Sequence, residues 1–320
     1  VTATRIGLAA VLAFTLTACG GGDDDAKDDT TTSTAPGKVD GSVASYDLAV
    51  GPPSRVMFGM FNEGKGPIGY GTAALSFFFL GENCGGTAQP GPTATGNYLP
   101  LPGSPPPPAD TGKTVYLPTD QRGVYAADVA FDRPGYWGIA ADVDLDGPQT
   151  VKKCFKVLPK HDVPMVGEAA PVTQNLTVST AGAPPEAIDS RASANAPVPD
   201  ADLHQTTVAQ ALAEKRPVLL VVSTPTYCVS LFCGPITDMV GELAKQYGDR
   251  ARFIHIEVWK DFKAQLLNDA AKEWIARGPD INEPWVFLIG ADGKVAARFD
   301  NIATRGELEA VLQKLPQMKS

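Results

Sequence analysis

Histidine and clustered basic charge are what this 320-residue chain has least of, with three histidines and 27 Lys and Arg against 36 Asp and Glu, a formal net charge of −9. Neutralising phosphates takes clustered Lys and Arg, so nucleic acid is excluded as a partner. No histidine cluster accompanies Cys84 and Cys154, since His161 is the one histidine near them, and a metal site there would lack ligands. Asp142, Asp144 and Asp146 alternate before Gly147 without the closing glutamate of an EF-hand, which reads as a solvated turn. Gly20-Gly21-Gly22 and Gly85-Gly86 lack the strand and helix context of a phosphate loop. The apolar stretch 6–16 is too short to span a bilayer. Neither a metal nor a cofactor is implied.

What the chain does have is five cysteines in informative places. Arg5 precedes the apolar stretch, which ends in small residues, the layout of an export signal. Leu16-Thr17-Ala18-Cys19 resembles the lipobox of bacterial lipoproteins. That resemblance implies a signal over 1–19, a diacylated Cys19 as the membrane anchor, and residence at the extracytoplasmic face of the cell envelope. The alternative is a plain signal peptide with a stray cysteine. Residues 20–43, rich in Gly, Asp and Thr, read as a disordered tether.

Residues 44–158 show short alternating stretches broken by Gly and Pro, the pattern of an antiparallel sandwich, with candidate strands at 55–61, 72–80, 123–131, 135–143 and 151–157. The Pro-rich stretch 90–110 has no apolar period and is expected to be an exposed loop. Gly123-Val-Tyr-Ala-Ala-Asp-Val-Ala-Phe131 followed by Asp132-Arg-Pro-Gly-Tyr-Trp-Gly resembles the closing hairpin of FixH-like and YtkA-like immunoglobulin-type domains. An exported chain sits where disulfides persist, so one cysteine pair is expected in each domain, here Cys84 with Cys154 as a structural bridge. Residues 159–203, rich in Pro, Ala and Ser, read as an interdomain linker that lets the domains reorient.

The most telling feature lies in the last segment, 204–320. The aliphatic run Pro217-Val-Leu-Leu-Val-Val reads as a buried strand, and Cys228-Val-Ser-Leu-Phe-Cys233-Gly-Pro235 follows it into an amphipathic helix. Unpaired backbone N–H groups at a helix start stabilise a thiolate, so a thiol pair at such a junction points to redox chemistry. Were all six residues helical, the two cysteines would face about 140° apart, beyond disulfide reach, so a bridge requires a loop. A helix starting at Pro235 supplies one.

Further on, the pattern gives a strand at 252–258, a helix at 262–276, Glu283-Pro284 immediately before a strand at 286–289, an Asp292-Gly293 hairpin turn, and a capping box at Thr304 to Glu307 opening the last helix. This order resembles the thioredoxin fold, with cysteines after the first core strand, a proline before the third and a glycine hairpin before the last helix. The resemblance implies that Pro284 takes the place of the family's cis-proline beside the active-site sulfurs, and that Cys228 and Cys233 carry the chemistry. The family's Cys-x-x-Cys is here Cys-x4-Cys. Tyr227-Cys228 matches its nucleophile while Cys233-Gly-Pro235 matches the end of the same motif; we favour Cys228 as nucleophile, although the helix dipole alone favours Cys233.

The fold expected is therefore multidomain, an all-β immunoglobulin-like sandwich followed by an α/β thioredoxin-like domain. The leading function is an exported, membrane-anchored thiol-disulfide oxidoreductase whose partners are exported proteins with thiols or disulfides. Three alternatives stand beside it. The pair could carry copper with His255, as in metallochaperone-like relatives of the fold. It could be an inert staple in a binding lipoprotein. Or the protein could be a thiol peroxidase, although Val221 and Pro225 occupy the Pro and Thr positions of that motif.

Overall fold

Alternation of inward apolar and outward polar side chains builds the first half. A computed structural model describes residues 38–104, 112–145, 147–193, 196–228, 230–276 and 281–317. Arg5, Cys19 and the stretch read as a signal lie outside the described residues, as does Asp146. Nine strands come first: β1 (Val39–Val43), β2 (Ser54–Asn62), β3 (Gly66–Gly69), β4 (Thr72–Gly81), β5 (Gln89–Pro100), β6 (Val115–Tyr116), β7 (Gly123–Val129), β8 (Gly135–Asp144) and β9 (Pro148–Val157). They hydrogen-bond in the order β6-β3-β2-β7-β5-β4-β8-β9, with β1 on β2. An immunoglobulin-type sandwich would keep two sheets apart, whereas this is one continuous antiparallel sheet. It curls on itself, so that Lys153 on β9 reaches Asp40 on β1 at 2.8 Å. Phe58, Leu75, Phe77, Phe131, Trp137 and Ile139 fill the core it encloses.

One expected loop is a strand. Most of the described residues in the stretch 90–110 form β5, which lies between β4 and β7. Its inward positions alternate as Pro92, Ala94, Gly96 and Tyr98, with Gly96 buried and the others partly buried. Pro92, Ala94 and Gly96 carry almost no hydrophobic signal, which is why the strand does not show as an apolar period. A Cβ at Gly96 would stand 3.1 Å from Leu75 and Tyr125, so the close approach of neighbouring strands leaves little room for a side chain there.

The second half forms a four-stranded sheet, ordered β11-β10-β14-β15. It comprises β10 (Val218–Ser223), β11 (Arg252–Glu257), β14 (Trp285–Ile289) and β15 (Val295–Asp300), and β10 runs parallel to β11 and antiparallel to β14. β10 is buried throughout because both of its faces are covered. Leu219 and Val221 face a core shared with α3 (Cys233–Tyr247) and α5 (Arg305–Leu312). Leu220 and Val222 face a second core with α2 (Val208–Ala213) and α4 (Asp269–Ile275). Thr207 caps α2 by accepting from the Gln210 N–H, and Thr304 with Glu307 forms the capping box of α5. The helix expected at 262–276 begins only at Asp269. A small hairpin precedes it, β12 (Trp259–Asp261) with β13 (Leu266–Leu267), and Gln265 turns it at φ 54°. Phe262 and Leu266 stand four apart as in a helix, so the spacing misleads.

The segment 159–203 is not the free linker its composition suggests. It carries a one-turn helix, α1 (Pro185–Ile188), and a 3₁₀ turn at Ala201–His204. Thr173 accepts from Trp274 Nε1 at 2.9 Å, and Asn175 Oδ1 accepts from the N–H of Val208, the first residue of α2, at 2.8 Å. These polar anchors hold the segment against α4 and α2.

The two halves are not free to reorient, because Gly37–Ser320 is one compact unit. Met57 on β2 and Val124 and Ala126 on β7 point away from the first core and enter the core of Leu219, Val221, Ile236, Val286 and Leu308. Arg55 on β2 binds Glu307 on α5 at 2.6 Å and the carbonyl of Ile302. His161 and Arg298 both reach the Asp47 carboxylate, at 3.1 and 2.8 Å.

Candidate redox site

Cys228 and Cys233 are joined as a disulfide, with Cα atoms 5.9 Å apart, and Cys84 is joined to Cys154 with Cα atoms 5.8 Å apart. The end of β10 feeds a loop, and the loop delivers the first pair to the start of α3. That helix begins at Cys233 rather than at Pro235. Pro235 then falls in the first turn, where its missing N–H leaves no intrahelical bond unmade. Closing the loop places Leu231 at φ 66° with its side chain exposed, a left-handed conformation that costs a non-glycine residue energy.

The two sulfurs stand in different surroundings. Cys233 is wholly buried, while Cys228 is half-buried. The Cys233 backbone N–H donates to Cys228 Sγ at 3.3 Å, and the Ser230 hydroxyl lies 3.3 Å from the same sulfur. Sequence pattern and helix dipole favoured different cysteines. In the structure the free N–H of the helix start is aimed at Cys228, so both arguments bear on the same sulfur.

Pro284 is preceded by a cis peptide bond, and the turn it makes lies beside the disulfide. A Glu283 carboxylate oxygen, Cys228 Sγ and Cys233 Sγ all lie within 4.8 Å of one another. Burial, and then the charge of Glu257, push the Glu283 carboxyl up to about 7. Glu257, at the end of β11, is itself raised by burial and accepts from the N–H of Ser190 at 2.8 Å. The Tyr46 hydroxyl, contributed by the first half of the chain, donates to the Glu283 carbonyl at 3.0 Å. Beside Cys228, the Tyr227 ring stacks on Phe262 at 3.9 Å and Phe262 meets Trp259 edge-on at 5.4 Å. A cleft of about 600 Å³ lies between residues 101–104 and Pro235, Met239 and Arg305, and neither sulfur lines it.

The structure thus gathers Cys228, Cys233 and the Pro284 turn, and keeps Cys84 and Cys154 as a separate bridge. His255 does not join the sulfurs. It lies buried in β11 against Asp189 and His204, which removes the histidine that a copper site at Cys228 and Cys233 was expected to use. Glu283, Ser230 and Tyr46 were missed in the sequence. Glu283 was within reach, as the ionisable residue directly before Pro284, while no local pattern pointed to Tyr46. Comparison with family models, with curated proteins and with solved structures finds no match to this chain.

Proposed function

We propose that the second half of the chain is a thioredoxin-like domain and that the protein is an exported, lipid-anchored thiol-disulfide oxidoreductase acting on exported proteins. The observation that carries this reading is the environment of Cys228 Sγ. It is the more exposed sulfur, it accepts from a helix-start N–H, and it sits beside a carboxyl poised near neutrality. The export and anchoring part rests on Arg5, the apolar stretch and the sequence ending at Cys19.

In the reduced protein the Cys228 thiolate attacks one sulfur of a partner disulfide. A bond forms between Cys228 and the partner, the partner's own disulfide breaks, and the expelled sulfur takes the proton of Glu283. The Cys233 thiol then gives its proton to the Glu283 carboxylate and attacks Cys228 Sγ. The intramolecular disulfide re-forms and the second partner sulfur leaves as a thiolate. The reverse sequence oxidises a partner dithiol, and an external dithiol or disulfide resets the pair. Because Cys228 lies at a surface edged by Tyr227 and Phe262 rather than in an enclosed cavity, an extended polypeptide suits the site better than an enclosed small molecule.

The test is trapping. Cys233→Ser should hold partners as mixed disulfides on Cys228, released by reductant, while wild type holds none. If neither Cys233→Ser nor Cys228→Ser traps a partner, and the pair stays closed below about −300 mV, the range of structural bridges, the enzyme reading is refuted.

A further inference from the structure

Asp189, His204 and His255 meet on the inner face of the segment 159–204, as a group separate from the two sulfurs. Asp189 ends α1, His204 ends the 3₁₀ turn, and His255 sits in the middle of β11. All three side chains have 0% exposure. We propose that these three residues form a binding site for a divalent transition-metal ion, with zinc the best match to two imidazoles and a carboxylate.

Distances make the first argument. His204 Nε2 stands 3.4 Å, and His255 Nδ1 3.5 Å, from the same oxygen, Asp189 Oδ2. Both separations exceed the ~2.7–3.2 Å of an N–H···O bond. They match the roughly 3.3–3.4 Å edge of a tetrahedron whose metal-ligand bonds are ~2.0–2.1 Å. Among the described residues, neither nitrogen of His204 and not Nδ1 of His255 makes a hydrogen bond. Buried polar groups seldom carry such a deficit.

The second argument concerns lone pairs. His255 Nε2 lies 3.2 Å from the Ser223 carbonyl oxygen, which can only accept, so Nε2 carries the hydrogen. In neutral imidazole Nδ1 is then a bare lone pair, and it faces a carboxylate oxygen. Two acceptors face each other stably only with a proton or a metal cation between them, and the 3.5 Å here is longer than the ~2.7–3.2 Å of a proton-bridged pair. A ligating histidine whose other nitrogen donates to a backbone carbonyl is the usual supporting arrangement in metal sites. Arg191 donates to Asp189 Oδ1 at 3.0 Å and to Oδ2 at 2.7 Å, which fixes the carboxylate while leaving Oδ2 its second lone pair.

Charge agrees. Asp189, Asp200 and Asp238 share the one Arg191 guanidinium, so acidic groups outnumber basic ones beside the histidines, which favours a cation at Asp189. The three side chains leave a fourth tetrahedral position for a water. Because the ligands come from three separate stretches of chain, the ion would pin residues 189 and 204 to the central sheet.

The experiment uses the full chain with both disulfides intact and Cys19 blocked by alkylation, so that no cysteine thiol is available to bind metal. The protein is refolded with zinc sulfate, washed with a weak chelator and analysed for bound metal by atomic emission, and a parallel sample is refolded with cobalt. One zinc per chain is expected, with cobalt showing the visible bands of a tetrahedral nitrogen and oxygen site, no thiolate-to-cobalt band, and at least tenfold less retained metal in His255→Gln. Folded wild type that retains only traces of zinc overturns the proposal, as does a thiolate-to-cobalt band or unchanged metal content in a folded His255→Gln. Should that variant not fold, the wild-type zinc content and cobalt spectrum decide the matter alone.

Discussion

Removing the Cys84–Cys154 bridge should weaken the fold far more than removing Cys228–Cys233, for a reason found mainly in the unfolded chain. The first bridge spans a sequence separation of 70 and the second one of 5. In the chain-entropy treatment these loops correspond to about 4.4 and about 2 kcal/mol at 25 °C. Cys84 is exposed and Cys154 half-buried, so replacing both with alanine discards little packing and isolates the loop term. Urea unfolding of Cys84→Ala/Cys154→Ala should therefore show roughly 4 kcal/mol less stability, with a larger denaturant slope because the unlinked chain exposes more surface. At about 2–4 °C per kcal/mol for a chain of this size, Tm should fall by roughly 8–16 °C. The reasoning is refuted if the loss is under about 1.5 kcal/mol, or no greater than that of Cys228→Ala/Cys233→Ala.

Two further outcomes follow. Cys19→Ala should move the protein from the membrane fraction to the soluble exported fraction on cell fractionation, and an unchanged distribution removes the lipid anchor. The Glu283 carboxyl is raised from the ordinary 4.5 to about 7, so the folded state holds that proton more tightly than the unfolded one. Its contribution is fully present below about pH 4.5 and is lost as pH rises to about 7, on the order of 1–2 kcal/mol once its partial exposure is allowed for. Glu283→Gln should flatten that part of the stability profile in urea titrations at several pH values; a slope between pH 5 and 7 identical to wild type contradicts it.

Much of the second half was legible because each signal was local. The run 218–222 is aliphatic at every position, Thr304 and Glu307 state their own cap, and Pro284 precedes its strand in the chain itself. The cysteine pairs could be read from their positions, one pair in each half. What escaped was information spread between distant residues. β5 hides because Ala94 and Gly96 have too little side chain to mark an inward face. The segment 159–203 is held by scattered single bonds, such as that from Trp274 to Thr173, rather than by a periodic face. Asp189, His204 and His255 come together only through tertiary folding, and each looks ordinary in its own neighbourhood.

The shared core of Met57, Val124 and Ala126 with Leu219 and Val286 sets a condition on biogenesis. A chain emerging amino end first completes its curled sheet long before the strand at 218–223 exists. During that interval β2 and β7 display an apolar outer face whose natural cover is still unmade, the kind of surface that attracts other chains. The first half alone would therefore be a sticky fragment rather than a free-standing module, and dividing the chain near His204 would yield two poorly behaved pieces.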